Sequence, residues 1–263
     1  MKRVCFCLIV SFLSLFLGAC CSRCCRVQAS ASKPVVQAIY TATPVVIDGR
    51  LDEAAWQNAP TYSPLLGRAH FDKLPLAMRP TVGRELNEPG YYKLLWDENY
   101  LYVGAQFVDS DVHAYGEEDH EHHYLMGDVA EVFIKPDSDT YYWELYATPA
   151  GKMSTLFIPG RGALMGPLLA SDPFNMKVAG QVQGTLNNWK DKDQGWSMEM
   201  AIPRVELEKF GATFAPGQGW TIFLARYNYC RYLLNKELSS FPQQQETNFH
   251  MLEEYARLQL LKP

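Results

Sequence analysis

Beyond its first 25 residues the chain contains one cysteine, Cys230; the other six, Cys5, Cys7, Cys20, Cys21, Cys24 and Cys25, crowd the N-terminus. No disulfide framework can hold the bulk of the protein, so its stability must rest on apolar burial. Cys230 itself sits in an aromatic strand pattern and reads as a buried side chain, not a nucleophile. Basic charge is scarce too: 24 Lys and Arg stand against 29 Asp and Glu, and without Lys2 and Arg3 the net charge falls from −5 to −7. That balance argues against an electrostatic nucleic-acid footprint and suits neutral polyols or calcium better. There is no G-x-S-x-G elbow, no P-loop and no dinucleotide fingerprint, which removes the commonest catalytic readings. Internal repeats are missing as well. The run Val4–Leu17, apolar apart from Cys5, Cys7, Ser11 and Ser14, is too short to span a bilayer.

What that run does suit is the apolar region of a signal segment, since Lys2 and Arg3 precede it. Leu17-Gly18-Ala19-Cys20 follows and resembles a bacterial lipobox, in which Cys20 would be lipidated and become the new N-terminus. A cleavage after Ala29-Ser30-Ala31 is the alternative. The expected organisation is a signal segment over 1–19, a Ser-, Cys- and Arg-rich tether over 20–33, and one domain over 34–263. The protein is expected to be exported, as an envelope lipoprotein or else as a periplasmic or secreted protein.

Within the domain, apolar and polar residues alternate at period two over Tyr91–Trp96, Tyr100–Val108, Val129–Lys135, Tyr141–Ala147, Trp196–Ile202 and Trp220–Tyr229. Turn clusters such as Asp97-Glu98-Asn99 and Pro136-Asp137-Ser138-Asp139 separate them. Val45-Val46-Ile47 reads as the end of a further strand, followed by an Asp48-Gly49 turn and a short helical turn capped by Asp52 that carries Trp56 inward. Only Asp52–Asn58 and Arg204–Phe210 look helical. The pattern predicts an all-β fold, a two-sheet antiparallel β-sandwich of jelly-roll or immunoglobulin type with one or two short helices. The long stretches Gly67–Pro89 and Phe157–Pro173 are rich in Pro, Gly and polar residues and are expected to rim a binding face.

Alternation also sorts side chains by face. Glu131 shares a face with Val129 and Phe133, opposite Ala130, Val132 and Ile134; Glu144 shares one with Tyr142 and Tyr146, opposite Tyr141, Trp143 and Leu145. Two neighbouring strands would then present carboxylates framed by rings. A sugar offers apolar C–H patches to an aromatic face and hydroxyls at its edge, which a carboxylate accepts in charge-assisted bonds. Arg226 and Asn228, on one face of a later strand, are candidate donors; the alternative reading is that Glu131 pairs internally with Arg226 or that these residues decorate a solvated face.

The order of several short phrases carries a resemblance. They are Ile47-Asp48-Gly49-Arg50-Leu51-Asp52-Glu53-Ala54-Ala55-Trp56; Leu95-Trp96-Asp97-Glu98-Asn99-Tyr100-Leu101-Tyr102-Val103 with Asp109 and Asp111; Asp128-Val129-Ala130-Glu131-Val132-Phe133-Ile134; Tyr142-Trp143-Glu144; Gly195-Trp196-Ser197-Met198-Glu199; Gly219-Trp220 with Arg226; and Asn248-Phe249-His250 with Tyr255. Together they resemble the family 9 carbohydrate-binding modules and the wider family-9-like sugar-binding domains. That resemblance implies a non-catalytic β-sandwich that holds a saccharide end between two aromatic rings, assisted by charged side chains and structural calcium. It implies stacking by Tyr124, Tyr142, Tyr146 and Phe249 and hydrogen bonding by Glu131, Glu144, Arg226 and His250. The chain departs from the best understood module at two points: Tyr124-Leu125 stands where a tryptophan precedes the acidic strand, and Glu144 stands where an arginine assists.

Calcium, if present, is expected on Asp109, Asp111 and Asp128, hard oxygen ligands in or beside turns, although turn formation alone accounts for them. Asp119-His120-Glu121-His122-His123 has ligand types for a transition metal but no helical H-E-x-x-H spacing. Three further readings stay open. Glu131 and Glu144 would be the acid and base of a glycoside hydrolase. A haem module of a related β-sandwich would use Met126, Met153 or His250. A surface interaction domain would take no glycan. The expected role is sugar binding at or outside the cell surface in support of carbohydrate breakdown by partner glycoside hydrolases.

Overall fold

The computed structural model describes residues 32–69, 86–161 and 174–262. The expected signal segment, Cys20, most of the expected tether, and residues 70–85 and 162–173, on which most of the two expected rim stretches fall, lie outside the described residues. Among those described, no helix is long and apolar enough to cross a membrane.

The strands expected from period-two alternation are present within a residue or so: β3 (Gly90–Trp96), β4 (Tyr100–Val108), β5 (Val129–Pro136), β6 (Tyr142–Ala147), β9 (Gly195–Pro203) and β10 (Trp220–Asn228). Six more complete the set: β1 (Val35–Tyr40), β2 (Leu65–Leu66), β7 (Met153–Ile158), β8 (Lys177–Gln183), β11 (Glu237–Phe241) and β12 (Ala256–Leu261). The two helices are shorter than their sequence patterns, α1 at Ala54–Asn58 and α2 at Arg204–Leu207. The hydrogen-bonded order is β7-β6-β5-β10-β12-β1-β3-β4-β9-β8, with β11 and β2 continuing from β10. The path bends through β12 and β1, so that β7-β6-β5-β10 and β3-β4-β9-β8 form two layers around one core.

That core explains the alternation. Ala130, Val132, Ile134, Trp143, Leu145, Ile222 and Leu224 of one layer meet Leu101, Val103, Ala105, Trp196, Met198, Met200 and Ile202 of the other, all buried. Each large side chain so buried contributes about 1.5–3 kcal/mol before the entropy of ordering it.

Three local expectations are corrected. The fold is a sandwich but not wholly antiparallel, because β1 runs parallel to both of its neighbours, β12 and β3. An N-terminal strand inserted between two existing strands has no hairpin partner to dictate its direction. Val45-Val46-Ile47 is irregular chain, not a strand end, and the helical turn is capped at Glu53, not Asp52, with no side-chain capping bond.

What secures this opening phrase is a carboxylate from a distant strand. Glu199 on β9 accepts from the Asp48 and Gly49 amides through Oε2 (3.1 and 3.0 Å) and from Trp56 Nε1 through Oε1 (3.0 Å). Ser197 Oγ donates to the Gly49 carbonyl at 2.7 Å. Gly49 has φ +86°, and a Cβ there would meet the Gly180 backbone at 2.9 Å. Two phrases far apart in sequence, Ile47–Trp56 and Gly195–Glu199, are thus one physical unit.

Candidate functional site

Register decides which side chains share the outer face of the β7-β6-β5-β10 layer. Glu131 pairs with Tyr146, and Phe133 with Glu144, across β5 and β6. Glu131 pairs with Ala225, and Phe133 with Phe223, across β5 and β10. Glu131 and Glu144 are therefore diagonal neighbours on one face, flanked by Tyr142 and Tyr146 along β6 and by Tyr227 along β10. Tyr124, on a 3-10 turn at His123–Leu125, contacts Tyr146 and Tyr227 with ring centroids 6.3 and 6.0 Å away. From the C-terminal side, Phe249 meets Phe133, Phe223 and Tyr227, and Tyr255 stacks on Phe223 at 5.0 Å. His250 Nδ1 lies 2.9 Å from the Tyr142 hydroxyl.

Seven of the sequence-selected residues, Tyr124, Glu131, Tyr142, Glu144, Tyr146, Phe249 and His250, are thus brought to one face. Tyr227 joins them unselected. Its signal was available, since it alternates with Phe223 and Ala225, but it became readable only with the register to β5. Phe249, Tyr142 and Tyr146 are all packed, buried rings and not free platforms, whereas Tyr124 and Tyr227 are half-buried.

The electrostatics of this face are unusual for a buried surface. Glu131 is 1% exposed and Glu144 4%, yet both Glu131 oxygens and Glu144 Oε2 have no hydrogen-bond partner among the described residues. Only Glu144 Oε1 is engaged, by the Tyr146 hydroxyl. Burial, followed by the neighbouring Glu144, pushes the Glu131 carboxyl well above the usual range. Burial likewise raises Glu144 to about 7, against the opposing effect of the Tyr146 donor. The rings respond to the same negative field: Tyr142 is raised to about 12, first by burial and then by Glu144. Tyr146 and Tyr227 are raised by burial and by both glutamates. The His250 imidazole is lowered by burial. No described arginine or lysine stands against either carboxyl, and two like charges this close in low dielectric cannot both ionise without a cation.

Arg226 does not join this face. It pairs with Ala130 across β5, one register position away from Ala225 and Glu131, and so points inward; a one-residue offset reverses the face. There it donates to Asp109 Oδ2 (2.9 Å) and to the carbonyls of Glu88 (2.8 Å) and Val108 (3.0 Å). Neither the sugar-donor role nor the internal pairing with Glu131 survives that placement. Asn228 also lies inward and donates to Glu88 Oε2 at 2.7 Å.

The aspartates expected to hold calcium do not fit it. Asp109 is occupied by Arg226 and by the Asp111 amide. Asp111 is occupied by the Arg231 side chain at 2.7 Å and by its amide at 2.9 Å. The Asp128 oxygens accept from the amides of Tyr229 and His113. Every one of these oxygens is used, and arginines already supply the positive charge, whereas calcium takes about six to eight oxygen ligands. Among the described residues the metal-type side chains that do converge, within 4.8 Å, are Glu88, Asp109 and Cys230. That group is likewise closed by Arg226, Asn228 and Ser110. Cys230 is buried there and its thiol is raised to about 11, chiefly by burial. A haem between Met153 and His250 is geometrically closed off, because Met153 packs on the inner core while His250 lies against the outer face.

Comparison with known proteins follows this geometry. A search of curated proteins returned no match. Among solved structures the chain is similar to a Bacteroides uniformis structure proposed to bind carbohydrate, at TM-score 0.65 and 13% identity over 88% of this chain and 100% of the other. It is also similar to a family 9 carbohydrate-binding module from Caldicellulosiruptor kristjanssonii. In that module's complex with cellotriose the TM-score is 0.56 at 14% identity, over 87% of this chain and 94% of the other. In its complex with glucose the TM-score is 0.54 at 14% identity, over 87% and 96%. These likenesses establish the fold. The family model described as carbohydrate family 9 binding domain-like matches residues 47–218, more than half of the chain and including both the Glu199-anchored opening and the acidic strand; the chain belongs to that family.

Proposed function

We propose that this protein binds saccharides without hydrolysing them, on the outer face built by Tyr124, Glu131, Tyr142, Glu144, Tyr146 and Tyr227. The observation that carries the reading is the pair of buried carboxyls with three unpartnered oxygens set among tyrosine rings. Native proteins rarely leave buried carboxylates unsatisfied, and such groups mark places where a ligand completes the bonding. Sugar hydroxyls donate to carboxylates, and sugar C–H faces pack on aromatic rings. Family membership points the same way, and two solved complexes of the same fold hold cellotriose and glucose. The leader pattern supports export with lipidation at Cys20, and with it a role at or outside the cell surface alongside enzymes that degrade polysaccharides.

Calorimetric titration of the purified protein with a panel of mono- and oligosaccharides tests the binding role. Saturable binding that disappears in Glu131→Ala, with the sugars recovered intact, is the expected result. Silence across the panel from protein shown to be folded would overturn it, and released reducing ends would replace binding by hydrolysis.

A further inference from the structure

The buried acid pair says more than that a saccharide binds. Glu131 and Glu144 face each other diagonally, and each is nine-tenths buried or more. Tyr92, Tyr142, Tyr146, Tyr227 and Tyr255 all lie within their electrostatic reach. Two of the described arginines are committed elsewhere: Arg226 to Asp109 on the inner side and Arg161 to Glu253 at 2.6 Å. Neutral hydroxyls satisfy carboxyl lone pairs but leave the repulsion between the two acids untouched. A protonated amine relieves both, because it donates three hydrogen bonds and carries a positive charge that no described side chain supplies there. Tyrosine rings favour the same guest, since their faces attract cations most strongly where water is excluded.

We propose that the saccharide recognised here carries a free, protonated amino group, as in a 2-amino-2-deoxy sugar, and that Glu131 and Glu144 together receive that ammonium. This rests on the saccharide reading of the same face. Tyr124 and Tyr227, the two half-buried rings beside the pair, pack against each other with centroids 6.0 Å apart.

Three trisaccharides with one β-1,4 backbone separate the possibilities: cellotriose, the free glucosamine trimer and the N-acetylglucosamine trimer, titrated into the intact protein at constant pH and salt. The free-amine trimer is expected to bind at least about tenfold more tightly than the other two, the size of one hydrogen-bonded charge interaction. In Glu131→Gln and Glu144→Gln that preference should vanish. Equal binding of all three sugars overturns the amine proposal and leaves the saccharide site standing. A preference that persists in both glutamine variants also overturns it, since attraction to the acidic surface then suffices. Binding of none of them, by protein with a normal unfolding transition, removes the saccharide reading itself. Should either variant fail to fold, the wild-type titrations repeated at high salt decide: a preference for the free-amine trimer that survives screening supports the buried pair, and one that disappears overturns it.

Discussion

Two buried charged clusters lie on opposite faces of the same β5-β10 pair, and they are built on opposite principles. On the inner face, Asp109, Arg226, Glu88 and Asn228 interlock, and each carboxylate oxygen of Glu88 and Asp109 has a donor; only Arg226 Nε and Asn228 Oδ1 lack partners. On the outer face, Glu131 and Glu144 are as deeply buried but share one tyrosine donor and no described cation. The inner cluster is finished by the fold itself, and the outer one is left unsatisfied by the described residues. Burial depth alone would rank them equal; counting partners separates structure from site.

The contrast is broken most severely by Arg226→Met. It leaves Asp109 as an uncompensated buried charge and should cost about 3–5 kcal/mol in urea unfolding. Removing Glu199, the carboxylate that ties the opening phrase to β9, comes next: Glu199→Ala strands buried donors and should cost about 1–3 kcal/mol, with loss of native Trp56 fluorescence. Glu131→Gln should do the reverse of Arg226→Met. Unfolding midpoints should hold or rise, while saccharide affinity falls by about 1–3 kcal/mol in calorimetry. Equal destabilisation by Glu131→Gln and Arg226→Met would erase the distinction between the clusters.

A subtler effect follows from pH. Raised carboxyl values mean that the folded state retains protons already released by the unfolded chain, whose carboxyls titrate near 4.5. For Glu144 the stability is then fully present below that value and is lost as pH rises through about 7; Glu131, raised by burial and by Glu144, adds a loss in the same direction. Glu199, also raised to about 7 and mainly by burial, titrates in the same window. The pair is therefore isolated by difference: Glu131→Gln combined with Glu144→Gln should flatten the slope of unfolding free energy between pH 5 and pH 8, though not abolish it. An unchanged slope would mean that neither glutamate is perturbed. The smallest effect is expected for Tyr124→Ala. Its half-buried ring contributes little to stability, so thermal unfolding should move little while sugar affinity drops.

Much of this was legible in the chain. Period-two alternation located β3, β4, β5, β6, β9 and β10, because a strand with one face on the core must alternate. The same alternation placed Glu131 with Phe133 and Glu144 with Tyr142 and Tyr146, since face follows from parity within a strand. Strands β1, β2, β7, β8, β11 and β12 are not among them. Burial in β8 is partial and in β11 mixed, whereas β12 does alternate, with Ala256, Leu258 and Leu260 buried against exposed Arg257 and Gln259, so its signal was available. Parity also grouped Arg226 with Asn228 correctly, but no local pattern reveals how one strand's parity aligns with the next. The register between β5 and β10, a single residue of offset, turned Arg226 inward to Asp109 and set Ala225 and Tyr227 beside Glu131. Sequence by itself determined the fold class, the strand faces and the acid–aromatic character of β5 and β6, all consequences of side-chain chemistry at period two. Only the tertiary structure decided which charges find partners, because pairing between strands is set by the whole packed sheet, and it left the outer glutamates without a cation among the described residues.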